Sequence, residues 1–566
     1  MVSVSDLQGA GSPPVQGLQM TAIGQVAGAA ASPMRPAVGS PGPLARLWGS
    51  RGLIALRSFA IFIGLWYLLH LWNDNPIQLP SPLRVLAALS DLTLSGEVPE
   101  HALVSTARLL VSLGVAVLLA IPLGFWMGMS QRVNAFIDPL VELLRPISGI
   151  AWIPLGLFIF GVGDTLPVFI MVYVAFFPLL LNTIAGVRNV DRQLYSAART
   201  MGLSRASMLR RVVLPSALPT IMVGFRLAFA GAWAAIVAAE LIGAPNGLGF
   251  AIEWYRQLLM SAKVFSFVAV IGLVGYLCDL GLRALQRWLT PWAQGRGAAT
   301  SARSLASSTA KRSGVIFSAL LLPVLLVLAW QAWAAFLASD ARAPAPAQVI
   351  STFITLTSSG DLPMATFQSL VRVLLGFTVA LVLGVGLGVL MGSSRKLQDN
   401  FDPIVESFRP IAPMAMLPIA ILWFGTGTAA AVAIVAYAAF FPVVLNTIHG
   451  VQGVDRRMVE AARTMGVARP RILASVMLPA ALPSVLLGAR LAMGVAWTAI
   501  IAAELAVGAK SGGGTSGGIG QMMFVFYAYS IDLNGIVVCM IVVGAVALLI
   551  DRLFRALERR LMPWRT

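Results

Sequence analysis

Residues 173–187 read YVAFFPLLLNTIAGV and residues 437–451 read YAAFFPVVLNTIHGV, so the chain is written twice at an offset of 264 residues. A duplicated chain has to fold as two copies of one unit. The same offset pairs Pro80 with Pro344, Arg108 with Arg372, Arg145-Pro146 with Arg409-Pro410, Arg226 with Arg490 and Glu240 with Glu504. At the closing Pro-Trp pairs, Pro291-Trp292 and Pro563-Trp564, the offset has grown to 272, and the GGGTSGG of residues 512–518 is the obvious source of the extra length.

Each copy consists mostly of apolar runs. Of 566 residues, 58% are hydrophobic and 11% charged, with a mean hydropathy of +0.84. That balance excludes a water-soluble globular protein, and disorder over most of the length. A bilayer core about 30 Å thick takes about 20 mostly apolar residues per helix. By that ruler the first copy holds spans near 53–72, 103–129, 143–162, 166–187, 219–243 and 264–282. The second holds spans near 315–337, 367–391, 407–426, 428–450, 482–507 and 533–550. The fold class expected is an all-α polytopic membrane protein of about twelve transmembrane helices in two six-helix repeats. An even number of spans per copy makes the repeats parallel and puts both termini on one side.

The net charge of +17 could suggest nucleic acid, but the excess sits in loops between apolar runs and reads as membrane topology. Arg188, Arg192, Arg199, Arg205, Arg210 and Arg211 follow the fourth span, and Arg456, Arg457, Arg463, Arg469 and Arg471 follow the tenth. Loops on the opposite side, 73–102 and 244–263, are much poorer in Lys and Arg. The arginine-rich side is therefore read as cytoplasmic, with both termini and the join at 287–314 carrying Arg287, Arg296, Arg303, Lys311 and Arg312. The organisation expected is a disordered N-terminal tail over 1–50, a first repeat over 51–290, a linker over 291–314 and a second repeat over 315–566.

Polar loops usually drift, yet the arginine-rich one recurs in detail: residues 197–202 and 461–466 both read AARTMG. Asp191 and Asp455 suit the N-cap of a short helix, and Gly202 and Gly466 suit the positive φ that ends it. A second short helix is expected from Ser204 or Pro470 to just before Leu214-Pro215 or Leu478-Pro479, with the apolar strips Met208, Leu209, Val212, Val213 and Ile472, Leu473, Val476, Met477. A lone basic loop of this kind would be read as an amphipathic element lying on the bilayer. Two copies with intact Gly and Pro spacing read instead as a shaped knob.

This loop resembles the cytoplasmic loop of bacterial binding-protein-dependent ABC importer permeases, a Glu-Ala-Ala, three residues, Gly, then Leu-Pro. Here it stands as Glu460-Ala461-Ala462, Gly466 and Leu478-Pro479, and as Ala197-Ala198, Gly202 and Leu214-Pro215, where Tyr195-Ser196 replaces the usual glutamate. The DPLVELLRP of 138–146, the DPIVESFRP of 402–410 and the AFFP…LNT segments resemble the nitrate, sulfonate, taurine and bicarbonate branch. The resemblance covers roughly 53–292 and 315–564. It implies the type I importer permease fold, with two permease units fused in one chain, and a bacterial inner-membrane location. It implies as partners two copies of a cytoplasmic ATPase that grip the two knobs and a periplasmic or lipoprotein solute-binding protein, with a small anion such as nitrate, a sulfonate or a related organic acid as solute. ATP and Mg2+ would belong to the ATPase, because no GxxxxGK[ST] loop occurs here and Ala509-Lys510-Ser511 is the nearest approach. The rival from another class is an ion-gradient-driven secondary transporter. It would want mid-membrane carboxylates and broken helices, and it gives no reason for matched knobs.

No enzymatic constellation stands out. His70, His101 and His449 lack metal-ligand spacing, Cys278 and Cys539 each lie in or beside an apolar run, and neither a cofactor nor a metal is expected in the chain. Arg226 and Glu240 share the fifth span, as Arg490 and Glu504 share the eleventh, about 21 Å apart and too distant to pair. Arg226 is expected to snorkel or to pair with a neighbouring helix, with anion contact as the alternative, and Glu240 to serve a gate or a structural role. Asp138, Glu142, Arg145 and Asp402, Glu406, Arg409 are expected to be self-paired helix faces at the inner interface. Asn182 and Asn446 are expected to link helices, and the matched Trp233 and Trp497 are candidates to line the pathway.

Overall fold

The computed structural model describes residues 51–73, 75–293, 313–337, 344–508 and 517–562. The expected tail over 1–50, most of the 291–314 linker, Ala509-Lys510-Ser511 and Pro563-Trp564 lie outside the described residues. Ala55–Thr566 forms one compact unit; of the unit before it, only the first turn of the opening helix is described.

The first repeat begins with α1 (Arg51–Asn73), α2 (Pro82–Leu94), α3 (Glu97–Met129), α4 (Gln131–Leu144), α5 (Ile153–Phe160) and α6 (Thr165–Arg188). It continues with α7 (Arg192–Thr200), α8 (Arg205–Met208), α9 (Leu214–Gly243), α10 (Leu248–Gln257) and α11 (Ser261–Leu289). The second repeat retraces this order with α12 (Ser313–Leu337), α13 (Pro346–Ser358), α14 (Asp361–Ser393), α15 (Arg395–Phe408), α16 (Leu417–Phe424) and α17 (Thr428–Gln452). It ends with α18 (Arg456–Thr464), α19 (Arg469–Ile472), α20 (Leu478–Gly508), α21 (Ile519–Val525) and α22 (Leu533–Leu561). No strand occurs among the described residues.

Eight helices among the described residues are long and apolar enough to cross a membrane. Helices α1 and α12, of 23 and 25 residues, lie over the first expected span of each repeat but are not among those eight. The expected third and ninth spans are corrected. In place of straight helices over 143–162 and 407–426, α4 meets residues 149–160 at 80° and α15 meets residues 413–424 at 88°. The cause is local. Arg145 and Arg409 still sit in the helical region as C-caps, but Pro146 and Pro410 after them withhold an N–H, and Pro154, Pro413 and Pro418 occupy first turns where proline is tolerated. Each crossing thus divides into a charged amphipathic arm and a short apolar arm.

Within each repeat α6 packs between α3 and α9, as α17 does between α14 and α20. Small residues let these backbones approach, since lipid offers no hydrophobic drive to bring two helices together. A Cβ on Gly124 would lie 2.7 Å from the Thr183 side chain, and one on the matching Gly388 would lie 2.6 Å from Thr447. Asn182 and Asn446 bond within their own helices instead of linking two, donating at 2.8 Å to the carbonyls of Pro178 and Pro442. Their target is the residue at i−4, so each amide closes a local turn. The repeats contact each other reciprocally: α9 meets the 413–416 turn, α20 meets the 149–152 turn, and α9 touches α20.

Candidate coupling loops and buried ion pairs

The knob is a product of local chemistry. Asp191 accepts from the N–H of Gln193 at 2.8 Å and Asp455 from that of Arg457 at 2.9 Å, starting α7 and α18 as the sequence leads one to expect. Gly202 and Gly466 end them at φ +72° and +74°. The next N–H then turns back, from Leu203 to the Ala198 carbonyl at 3.2 Å and from Val467 to Ala462 at 3.1 Å. Ala198 and Ala462 are buried under this turn, while Ala197, Ala461 and Glu460 are exposed.

The second knob helix differs from expectation. It does not stop before Leu214-Pro215 or Leu478-Pro479. Instead α8 and α19 run through π-turns, Leu209–Val213 and Leu473–Met477, straight into α9 and α20. Pro215 and Pro479 lack the N–H an α-turn needs, and the wider turn bonds Leu214 to the Leu209 carbonyl and Leu478 to that of Leu473. The knob is therefore joined rigidly to a membrane-crossing helix. Met208, Val213 and Ile472 of its apolar strips are buried, so the strips face the protein. What the knobs show outward is Leu194, Tyr195 and Met201 in one copy and Met458 and Met465 in the other. Glu460 makes no ion pair with any described residue, so its own loop arginines do not hold it.

At the far end of α9, Glu240 is 1% exposed. It takes the Arg108 guanidinium of α3 at 2.7 Å, the Ser105 hydroxyl at 2.8 Å and the Gly249 N–H at 3.0 Å. Glu504 repeats this with Arg372 at 2.9 Å, Ser369 at 2.7 Å and Gly520 N–H at 3.1 Å. Each carboxylate thus caps the start of a short helix, α10 or α21, while neutralising an arginine. Gly247 (φ +107°) and Gly518 (φ +55°) press on these carboxylates, where a Cβ would come within 2.4 and 2.1 Å. The arginine partners have no assigned role in the sequence reading; their signal is that Arg108 and Arg372 match across the repeats inside apolar runs. The first clasp adds Asp164 and Asn246 on Arg108; Thr428 stands where Asp164 would.

Arg226 pairs with Asp279 of α11 at 3.2 Å, and Arg490 with Asp551 of α22 at 2.7 Å, fulfilling the neighbouring-helix expectation. Trp233 and Trp497 are 4% and 2% exposed, packed between helices. The two triads are not self-paired: none of Asp138, Glu142, Arg145, Asp402, Glu406 or Arg409 forms an ion pair with a described residue. Arg145 and Arg409 sit at the C-caps beside the bend, at the end of the helix face that would align them with the carboxylates.

Residues 120–295 and 380–563 each match the family model described as "Binding-protein-dependent transport system inner membrane component". The chain is 37% identical over 247 residues to the taurine transport system permease protein TauC of Escherichia coli, a match covering 42% of this chain and 89% of that protein. It is 35% identical over 247 residues to the putative aliphatic sulfonates transport permease protein SsuC of Bacillus subtilis (44% and 87% covered). To the nitrate import permease protein NrtB of a Synechocystis species it is 34% identical over 260 residues (44% and 90%).

Proposed function

Since the chain belongs to the family of binding-protein-dependent transport system inner membrane components, and is the multi-pass permease subunit of an ATP-driven importer, we propose that it carries a small sulfonate or related oxyanion inward, its fused halves forming one pathway. The observation that carries this reading is the knob present in both repeats, each continuous with a membrane-crossing helix. Two cytoplasmic ATPase copies grip α7–α8 and α18–α19, and their closure levers α9 and α20. A solute-binding protein delivers the solute from outside, and ATP and Mg2+ stay with the ATPase. The host membrane is the bacterial inner membrane. Ion-gradient coupling is disfavoured because Glu240 and Glu504 are held by arginines and hydroxyls and are not free to trade an ion with solvent.

The orientation proposed places both termini, the linker and both knobs in the cytoplasm, on the arginine asymmetry. Thr300→Cys, in a chain lacking Cys278 and Cys539, will stay unlabelled when intact cells meet a membrane-impermeant maleimide. Ready labelling there overturns the orientation.

The knobs will also prove unequal. Glu460 is exposed and pairs with no described residue, so it can make a charge-assisted contact with the ATPase, worth about 1.5–3 kcal/mol when well formed. The first knob offers only Tyr195-Ser196 there. Glu460→Ala will slow ATP-driven uptake roughly tenfold, the rate equivalent of about 1.4 kcal/mol, and Tyr195→Ala much less, with the ATPase retained in pull-down. Equal small losses contradict the inequality.

A further inference from the structure

Where the first repeat meets the second, α9 and α11 face the bend of the ninth crossing across a cleft of about 170 Å3. Its polar lining is Asp279 and Arg283 of α11 with Glu406 and Arg409 of α15, and Trp233 and Tyr276 supply the aromatic walls. Three observations mark it as more than a packing gap.

The charges are unequally engaged. Asp279 and Arg283 already hold each other at 2.6 Å, whereas Arg409 and Glu406 are exposed and pair with no described residue. At i and i+3 on one helix, their Cβ atoms stand about 5–6 Å apart. They are thus a cation and an anion, neither paired with a described residue, a short molecule's length from each other. Trp233 is 4% exposed, and its indole N–H, packed against Gly275, finds no acceptor among the described residues; the matched Trp497 donates to the Val543 carbonyl at 3.1 Å. A buried donor is seldom left unpaired without reason. Finally, the cleft lies at a discontinuous crossing between two repeats, the kind of place where transporters build solute sites.

We propose that this cleft is a station for a small zwitterion bearing a sulfonate or similar oxyanion at one end and an ammonium at the other. Arg409 holds the oxyanion and Glu406 the ammonium, against the aromatic walls of Trp233 and Tyr276. With two guanidiniums and two carboxylates the lining has no net charge. A bare anion such as nitrate would gain Arg409 but meet Glu406 as a repulsive neighbour; a zwitterion satisfies both. The proposal rests on the importer reading and goes beyond it by naming the solute class and the residues that receive it. An ethanolamine phospholipid headgroup has the same chemistry, so the test has to separate the two sources.

The full chain in phosphatidylcholine nanodiscs, without ATPase or binding protein, is titrated with taurine and with ethanesulfonate, which lacks the ammonium, and binding is read by saturation-transfer NMR. Taurine will bind. Arg409→Gln will weaken both compounds about tenfold, the loss expected of one charge-assisted contact. Glu406→Gln will weaken taurine to the same degree and leave ethanesulfonate unchanged. Arg145→Gln, the matching change in the first repeat, will alter neither. Failure of taurine to bind, or equal binding by all variants, overturns the station. So does taurine binding that disappears in phosphatidylethanolamine discs, which would assign the cleft to the lipid headgroup. If these tests fail while ATP-driven uptake stays intact, the station falls and the importer reading stands.

Discussion

Glu504→Ala will destabilise the protein by about 3–5 kcal/mol, the largest loss expected of any single side chain discussed above. Glu504 is 3% exposed and satisfies three donors at once: the Arg372 guanidinium, the Ser369 hydroxyl and the Gly520 N–H. Removing it leaves a largely buried guanidinium without its carboxylate and the start of α21 without its cap. The cost comes from taking away the carboxylate matched to that guanidinium and the cap of α21, and not from the intrinsic worth of the pair. A double variant with Arg372→Met and Glu504→Leu will therefore be less destabilised than Glu504→Ala alone. Denaturation in detergent, followed by helical circular dichroism, gives all values. If Glu504→Ala unfolds at the wild-type midpoint, the clasp is not a structural ion pair.

Gly466→Pro will uncouple the transporter without preventing its insertion. Gly466 adopts φ +74° and donates its N–H to the Arg463 carbonyl at 3.0 Å. Proline can do neither, because its ring fixes φ near −65° and removes the donor. A Cβ at Gly466 would meet nothing within 4 Å, so a substitution there acts through backbone direction and not through a clash. The backbone change swings α19 away from α18, and with it the lever into α20. ATP-driven uptake will fall by at least about tenfold, that is about 1.4 kcal/mol or more of lost coupling. Membrane yield will be unchanged, and Gly202→Pro will behave alike. Uptake at the original rate by a variant that binds the ATPase normally removes the knob from the mechanism.

What could be read in advance divides by the range of the forces involved. The knob's caps and its glycine turn were legible because each depends on a side chain or a φ value within a few residues. Eight of the twelve expected spans were legible because a bilayer imposes one length on every helix that crosses it. The bends at Pro146 and Pro410 were hidden, since the apolar runs expected over 143–162 and 407–426 begin almost at the bends and leave the charged arms before them out of the span. The π-turns were hidden as well: Leu-Pro marks a local change of bonding but does not say whether the helix stops or widens. The clasps join residues 132 positions apart, and no local pattern ties Arg108 to Glu240 or Arg372 to Glu504. Their one trace was that all four residues match across the duplication. The unpaired Glu406 and Arg409 were concealed by spacing, which on a straight helix predicts that they neutralise one another.

The most direct test of two ATP-driven levers on one fused pathway uses the purified chain in nanodiscs with its ATPase and its binding protein. One permease chain will hold two ATPase copies, and hydrolysis will rise when the binding protein is added with its solute bound, with uptake in vesicles requiring ATP. Hydrolysis that ignores the loaded binding protein, together with uptake that proceeds on an ion gradient in the absence of the ATPase, would contradict it.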